Sequence, residues 1–207
     1  MNNDELIWNE CSKENLYKTP VFSISKTKSV SPDGLQGEYY VIDARNWCAV
    51  IPEIGDDFLM VKQWRHGAKQ LSIEFPGGTI DDGEEPINAA LRELREETGY
   101  ISNDLVYLGA MSPNPAIMSN KMHFFLAKNL INTGTQDLDN DEYVNAIRIP
   151  QKEVLEKMGS PEYPHALMAA ALNFYRQYIL IPLIWALLVN LITLLLILIE
   201  YVRMSCK

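Results

Sequence analysis

Residues 78–100 read GTIDDGEEPINAALRELREETGY, an acidic, glycine-rich loop running into a segment that carries Glu93, Glu96 and Glu97. Pro86 suits the first position of a helix, the stretch INAALRELREET has helix-forming composition, and Gly99 stands where a left-handed residue would end it. The spacing predicts a helix over about Pro86 to Thr98. On it the three glutamates fall at i, i+3 and i+4 and share one face, while Ala89, Ala90 and Leu94 are free to pack elsewhere. Like charges so placed cost a few tenths of a kcal/mol per pair, and a hard divalent cation with oxygen ligands is the natural compensation. The plainer alternative is a solvated acidic face balanced by Arg92 and Arg95. The preceding loop favours the cation. Glycines at 77, 78 and 83 permit close approaches that side-chained residues resist, Pro76 stiffens the lead, and such a loop can set a backbone carbonyl beside the helix carboxylates.

Gly78, Glu84, Arg92, Glu93, Glu96, Glu97 and Gly99 together resemble the Nudix box, G-x5-E-x7-R-E-U-x-E-E-x-G-U with U a bulky apolar residue. Tyr100 replaces the usual aliphatic closing residue, a mild change because its ring still buries apolar area. Seven fixed positions, each met about one time in fifteen, coincide by chance in roughly one such chain in a million, so the pattern is a family signature rather than an accident. The resemblance implies hydrolysis of a diphosphate linkage with magnesium, or manganese in its place. It implies that the Gly77 carbonyl joins Glu93 and Glu97 in binding the metal, with Glu96 sharing a second ion at the catalytic centre. It also implies that Arg92 pairs with Glu84 to pin loop to helix, so that Gly78, Glu84, Arg92 and Gly99 are structural.

A diphosphate bridge is stable in water because its negative oxygens repel nucleophiles. A catalyst must neutralise that charge and supply a hydroxide-like attacker, and magnesium ions do both. The chain has no Gly-x-Ser-x-Gly elbow and no Walker-type phosphate loop, so a serine hydrolase or a P-loop enzyme is not supported.

Outside the box, VKQWRHG (Val61 to Gly67), Glu74, and Pro115, sixteen residues beyond Gly99, resemble the ADP-ribose pyrophosphatase subgroup. Arg65, Glu74 and Pro115 are then implied as substrate contacts. The fixed fork of donors on Arg65 suits a phosphate or a ribose, the alternative being an ordinary strand-end arginine. LDNDEYVNAIRIP (Leu138 to Pro150) resembles the acidic loop that supplies a general base, with Asp139, Asp141 and Glu142 as candidates and a simple acidic turn as the alternative. A base must reach the attacking water, and a loop is a reasonable place to keep one. After Pro115 the sequence departs from the subgroup: AIMSNK stands where a glycine-rich turn and an acid are usual, and Asn120 falls near the acid's place. The function implied is hydrolysis of ADP-ribose or a related nucleoside diphosphate sugar to a nucleoside monophosphate and a sugar phosphate. Alternatives are hydrolysis of (oxidised) nucleoside triphosphates or other nucleotide sugars, and a non-catalytic nucleotide-binding module. Three mutually repelling carboxylates argue for turnover, since a retired site has no physical reason to keep them.

The chain has 207 residues, enough for one sizeable domain, and 27 acids against 18 bases argue against nonspecific nucleic-acid binding. Cys11, Cys48 and Cys206 are too scattered for a zinc site, and their odd number suggests a reducing compartment. His66, His123 and His165 show no ligand spacing, and His123, within alternating MHFFLA, reads as a strand residue.

Residues 1–45 read as a β-rich lead-in, with VFSIS and GEYYVIDA as a hairpin across the turn signal SPDG. By resemblance this segment builds a homodimer. Residues 46–177 form the expected hydrolase domain, where apolar strands such as WCAVIPEI and DFLMVKQW are followed by helices at QKEVLEKMGS and YPHALMAAALNFYRQY. Strands flanked by helices match the α/β (α+β) fold of the Nudix α/β/α sandwich. From Tyr178 to Ile199 no residue is charged, and a helix of that length extends about 33 Å against a hydrocarbon core of about 30 Å. Residues 178–202 are therefore expected to span a membrane, with a buried terminal or dimer-core helix as the alternative. Tyr178, Trp185, Tyr201 and Arg203 suit interfacial anchoring. MNNDELIWNE has neither a basic start nor an apolar run, so the catalytic domain is expected in the cytoplasm.

Overall fold

The computed structural model describes residues 2–138 and 142–205. After a short 3-10 turn at Asn3–Leu6, strands β1 (Asn9–Lys18), β2 (Phe22–Val30) and β3 (Gln36–Ala44) form an antiparallel sheet in the order β1-β2-β3. β2 and β3 are the hairpin that the sequence predicts, closed where the Gly34 N–H donates to the Ser31 carbonyl at 3.0 Å. β1 is not legible in the sequence. NECSKENLYK has no apolar alternation, all ten residues are exposed, and the strand is held by backbone pairing to β2.

The main sheet comprises β4 (Trp47–Ile54), β5 (Asp57–Arg65), β6 (Gln70–Glu74), β8 (Asp104–Met111), β9 (Met122–Lys128) and β11 (Val144–Pro150). Its order is β11-β5-β4-β9-β8, with β6 also on β5, and only β4 and β9 run parallel. A two-residue pair, β7 (Tyr100–Ile101) and β10 (Ile131–Asn132), lies beside it in sequence. The helices are α1 (Pro86–Thr98), α2 (Gln151–Lys157) and α3 (Ala166–Ser205).

Strand periodicity sorts the core into two layers. Cys48 and Val50 of β4 and Phe125 and Ala127 of β9 pack with Ala89, Ala90 and Leu94 of α1. Their neighbours Ala49, Ile51, Phe124 and Leu126 face the other way and pack with Met168, Ala171, Leu172 and Tyr175 of α3. One strand pair is thus buried on both faces, which makes the architecture an α/β/α sandwich. α3 also passes close to β8, where a Cβ on Gly109 would lie 2.6 Å from the Phe174 ring.

The sequence suggests a closing helix and a separate apolar tail, but the two are one helix of 40 residues. What changes near Tyr178 is burial, not backbone. Met168, Ala171, Leu172 and Tyr175 are buried at helical spacing, whereas the large apolar residues from Leu180 to Ile199 are exposed. Lys128 marks the boundary: its Nζ donates to the Tyr178 hydroxyl at 3.0 Å and stands 4.6 Å from that ring's centre.

Candidate active site

The loop after β6 is fastened to β4 by two backbone bonds, Val50 N–H to the Pro76 carbonyl at 2.8 Å and Cys48 N–H to the Gly78 carbonyl at 2.9 Å. Gly77 lies between them. A Cβ there would come within 2.1 Å of the Cys48 carbonyl oxygen, so the strand itself requires glycine. A Cβ on Gly78 would lie 2.5 Å from Glu93 Oε1, so this glycine makes room for a carboxylate of α1. The Gly77 N–H in turn donates to Glu97 Oε2 at 2.7 Å. The loop and the helix predicted from the sequence therefore meet, and α1 ends as expected at Gly99, whose φ of 72° is left-handed.

Glu93 and Glu97 are both buried. Burial, with the Glu93 and Glu142 charges adding to it, pushes the Glu97 carboxyl up to about 8, against the bond from Gly77. Burial likewise pushes the Glu93 carboxyl up to about 7, although Arg92 opposes it. Arg92 binds the cluster from the other side. Its Nη1 donates to Glu93 Oε1 at 2.8 Å and Glu96 Oε2 at 3.1 Å, and its Nε and Nη2 hold both Glu84 oxygens at 3.1 and 3.0 Å. Nη2 also reaches the Thr79 carbonyl, so a single guanidinium joins loop to helix.

Among the described residues no three His, Cys, Asp or Glu side chains are gathered into a metal-holding group. Oxygens of Glu93, Glu96 and Glu97 are turned instead toward Arg92 and Gly77. The donor set still fits a hard cation in kind: oxygen only, with two buried carboxyls whose ionised forms Arg92 and the Gly77 N–H compensate only in part.

A cavity of about 280 Å³ is lined by Gly77, Gly78, Trp47, Arg65, Glu74 and His165, among others. Arg65 at the end of β5 grips Glu74 at the end of β6 with two bonds, Nε to Oε1 at 2.8 Å and Nη2 to Oε2 at 2.5 Å. Burial works against ionisation of Glu74, but bonds and charge from Arg65 outweigh it and hold the carboxyl below its ordinary value. Burial also lowers His165, against the pull of Glu74. The sequence does not single out His165 or Trp47, since a lone histidine before a helix and a tryptophan at a strand start carry no spacing signal. His123 is the strand residue expected, its Nδ1 3.3 Å from the Tyr107 hydroxyl.

Asp139 and Asp141 lie outside the described residues. Glu142 is exposed, and its charge is felt by both Glu93 and Glu97. Two contacts bring its loop to α1: the Asp137 N–H donates to the Glu96 carbonyl at 2.9 Å, and Arg95 Nη2 meets Asp137 Oδ2 at 2.8 Å. A third comes from the Gln136 amide, which bonds the Glu97 carbonyl. On the other side, β11 pairs Val144 with Gln63 of β5, so Glu142 and Arg65 each stand two residues beyond that pair. Pro115 is not brought to the cavity. It is exposed on the loop 112–121, which bonds to β3 through the Ile42 N–H and the Ile117 carbonyl at 2.7 Å. Asn120, where an acid is usual, is buried and donates to the Arg45 carbonyl at 2.9 Å.

The family model described as the NUDIX domain matches residues 44–169, more than half of the chain. The chain is 29% identical over 165 residues to the ADP-ribose pyrophosphatase of Bacillus subtilis (strain 168), covering 79% of this chain and 89% of that protein. It is 26% identical over 168 residues to the ADP compounds hydrolase NudE of Escherichia coli (strain K12), covering 80% and 90%. A crystal structure of an ADP compounds hydrolase has the same fold, with a TM-score of 0.74 at 24% identity over 83% of this chain and 93% of that one. With the box residues gathered on one loop and one helix, and the family model spanning both, the protein belongs to the NUDIX family and is a Nudix hydrolase.

Proposed function

We propose that the protein hydrolyses ADP-ribose or a related nucleoside diphosphate sugar, with a divalent cation, to a nucleoside monophosphate and a sugar phosphate. The carrying observation is that the buried Glu93 and Glu97 lie against Gly78 and Gly77, which line the same cavity as Arg65 and Glu74. Names of the relatives support the substrate class.

Glu93, Glu96 and Glu97, with the Gly77 carbonyl, would hold Mg2+ or Mn2+. A bound cation neutralises the diphosphate and acidifies water. Arg65 binds the ligand's polar backbone, and Glu74 fixes the direction of its fork. Glu142 takes the proton of the attacking water, with Asp139 and Asp141 as the other bases its loop offers. Arg92 and Glu84 keep the loop on the helix, and Gly78 keeps Glu93 in place. Pro115 acts on substrate only if a second copy carries it to a cavity. A homodimer through β1–β3 follows the same resemblance as the substrate.

The stretch of α3 from Tyr178 to Ile199 is assigned as a membrane span. The helix has mean hydropathy 2.6 over its most apolar window, and none of that window is buried. The catalytic domain then stands on the cytoplasmic side, residues 178–202 being the anchor, 46–177 the hydrolase and 1–45 the dimerising lead-in.

The test is a substrate panel with the full chain in detergent, with magnesium and with manganese. AMP release from ADP-ribose ahead of every nucleoside triphosphate is expected. A panel led by nucleoside triphosphates, oxidised ones included, would replace the assignment, and ligand binding without turnover would make the protein a binding module.

A further inference from the structure

One polar group in the cavity has no part in the reaction proposed above. His165 lies immediately before α3, and its Nε2 is 4.0 Å from Glu74 Oε2. The Leu167 backbone N–H donates to the other ring nitrogen, Nδ1, at 3.2 Å. A nitrogen that accepts carries no proton, so the neutral ring has its hydrogen on Nε2. That N–H makes no hydrogen bond among the described residues, because 4.0 Å is too long for one, while each Glu74 oxygen keeps a lone pair beyond the one Arg65 uses. The ring lines the cavity, so this donor is available to a ligand.

What kind of ligand atom fits there follows from Glu74. Its carboxylate is 1% exposed and held ionised by Arg65, so a phosphate oxygen brought beside it would be repelled. A hydroxyl would not be, since it accepts from one neighbour and donates to another. We propose that His165 and Glu74 form a sugar-hydroxyl subsite, in which His165 Nε2–H donates to a hydroxyl of the ligand and that hydroxyl donates to Glu74. The subsite rests on the nucleoside diphosphate sugar reading and deepens it, because it makes the sugar, not the diphosphate, the group read at this corner. Leu167 acts as a positioning residue by fixing the tautomer.

The experiment is a cycle of variants against ligands, read by calorimetric binding in magnesium to an ADP-ribose whose bridging oxygen is a methylene. Two analogues each lack the hydroxyls of one ribose. His165→Phe should weaken binding of the parent ligand about tenfold, as for loss of a buried hydrogen bond, while His165→Gln, which keeps an N–H at the same reach, should stay within about threefold. Against one of the two analogues the His165→Phe loss should vanish. Turnover of ADP-ribose should show the same change in KM, with kcat within about twofold. Equal affinity of wild type and His165→Phe for the parent, or the same loss on both analogues, overturns the subsite while leaving the substrate class standing. Wild-type protein that binds no methylene analogue overturns the substrate class and the subsite with it. Should His165→Phe fail to fold by melting, His165→Leu serves the same comparison.

Discussion

α1 and α3 break the usual rule of polarity in opposite directions. α1 carries Glu93 and Glu97 into the interior, where burial holds their carboxyls at about 7 and about 8. α3 does the reverse, exposing Leu183, Ile184, Leu187, Leu191 and Leu194 along its outer half. Buried charge and exposed hydrocarbon are each unfavourable in water alone. Both departures accord with the proposed function, in which a cation would meet the buried carboxylates and a bilayer the exposed hydrocarbon. α2 and the inner half of α3 follow the ordinary rule, with one buried face and one exposed.

The sharpest way to break this contrast is Glu97→Gln. An amide at this place can still accept from the Gly77 N–H but offers a cation no charge, so magnesium-dependent hydrolysis should fall by at least about 100-fold. Melting above pH 8 without added cation should be unchanged or higher, because the substitution removes a carboxyl that is ionised and buried there. Undiminished turnover in a kinetic assay would mean that α1 is not the metal helix.

For α3, arginines at Leu188 and Leu191 each cost about 2.5–3.5 kcal/mol near a bilayer centre, so the variant should move from the membrane fraction to the supernatant. Truncation after Gln177 should do the same and leave kcat/KM within about twofold, since among the described residues lost only the partly buried Ile179 packs against the core. Fractionation that finds the full chain in the supernatant would return the outer half of α3 to the alternative of an interface between copies.

A pH series of thermal melts sharpens the other side. Folded values of about 7 and about 8 for Glu93 and Glu97 exceed the ordinary 4.5, so between those limits the folded chain binds more protons than the unfolded one. Without added cation, their contribution to stability is greatest below about pH 4.5 and declines as pH rises toward 8. Magnesium should counter that decline, raising the melting temperature by several degrees at pH 8 and by less at pH 6. A magnesium shift independent of pH would show that the cation binds elsewhere.

The smallest effect is expected where the two kinds of surface meet. Tyr178→Leu removes the Lys128 hydrogen bond and ring contact at an exposed site, a loss of about 0.5–1 kcal/mol. The melting temperature should drop by only a few degrees, with membrane fractionation unchanged.

Much of α1 was legible beforehand because its signals are local. Pro86, Gly99 and the spacing of Glu93, Glu96 and Glu97 act within a few turns of one helix, and the observed limits agree. The loop signals at Gly77 and Gly78 were legible too, though only as freedom. That Gly77 must clear the Cys48 carbonyl and Gly78 the Glu93 carboxylate depends on strands and a helix far away in the chain. β1 was illegible because backbone pairing leaves no mark on side chains that face water. β6 is not legible because five residues are too few to show a period.

By itself the sequence determined the box, the carboxylate face, the Arg92 and Glu84 partnership that resemblance implies, and the length and apolarity of the outer half of α3. These follow from composition and from helical periodicity, which neighbouring residues suffice to set. Tertiary structure decided how deeply Glu93 and Glu97 are buried, that Arg65, Glu74 and His165 share a cavity, and that one unbroken helix runs from its edge to the apolar tail. Burial and convergence are properties of packing, and packing joins residues whose separation along the chain carries no pattern.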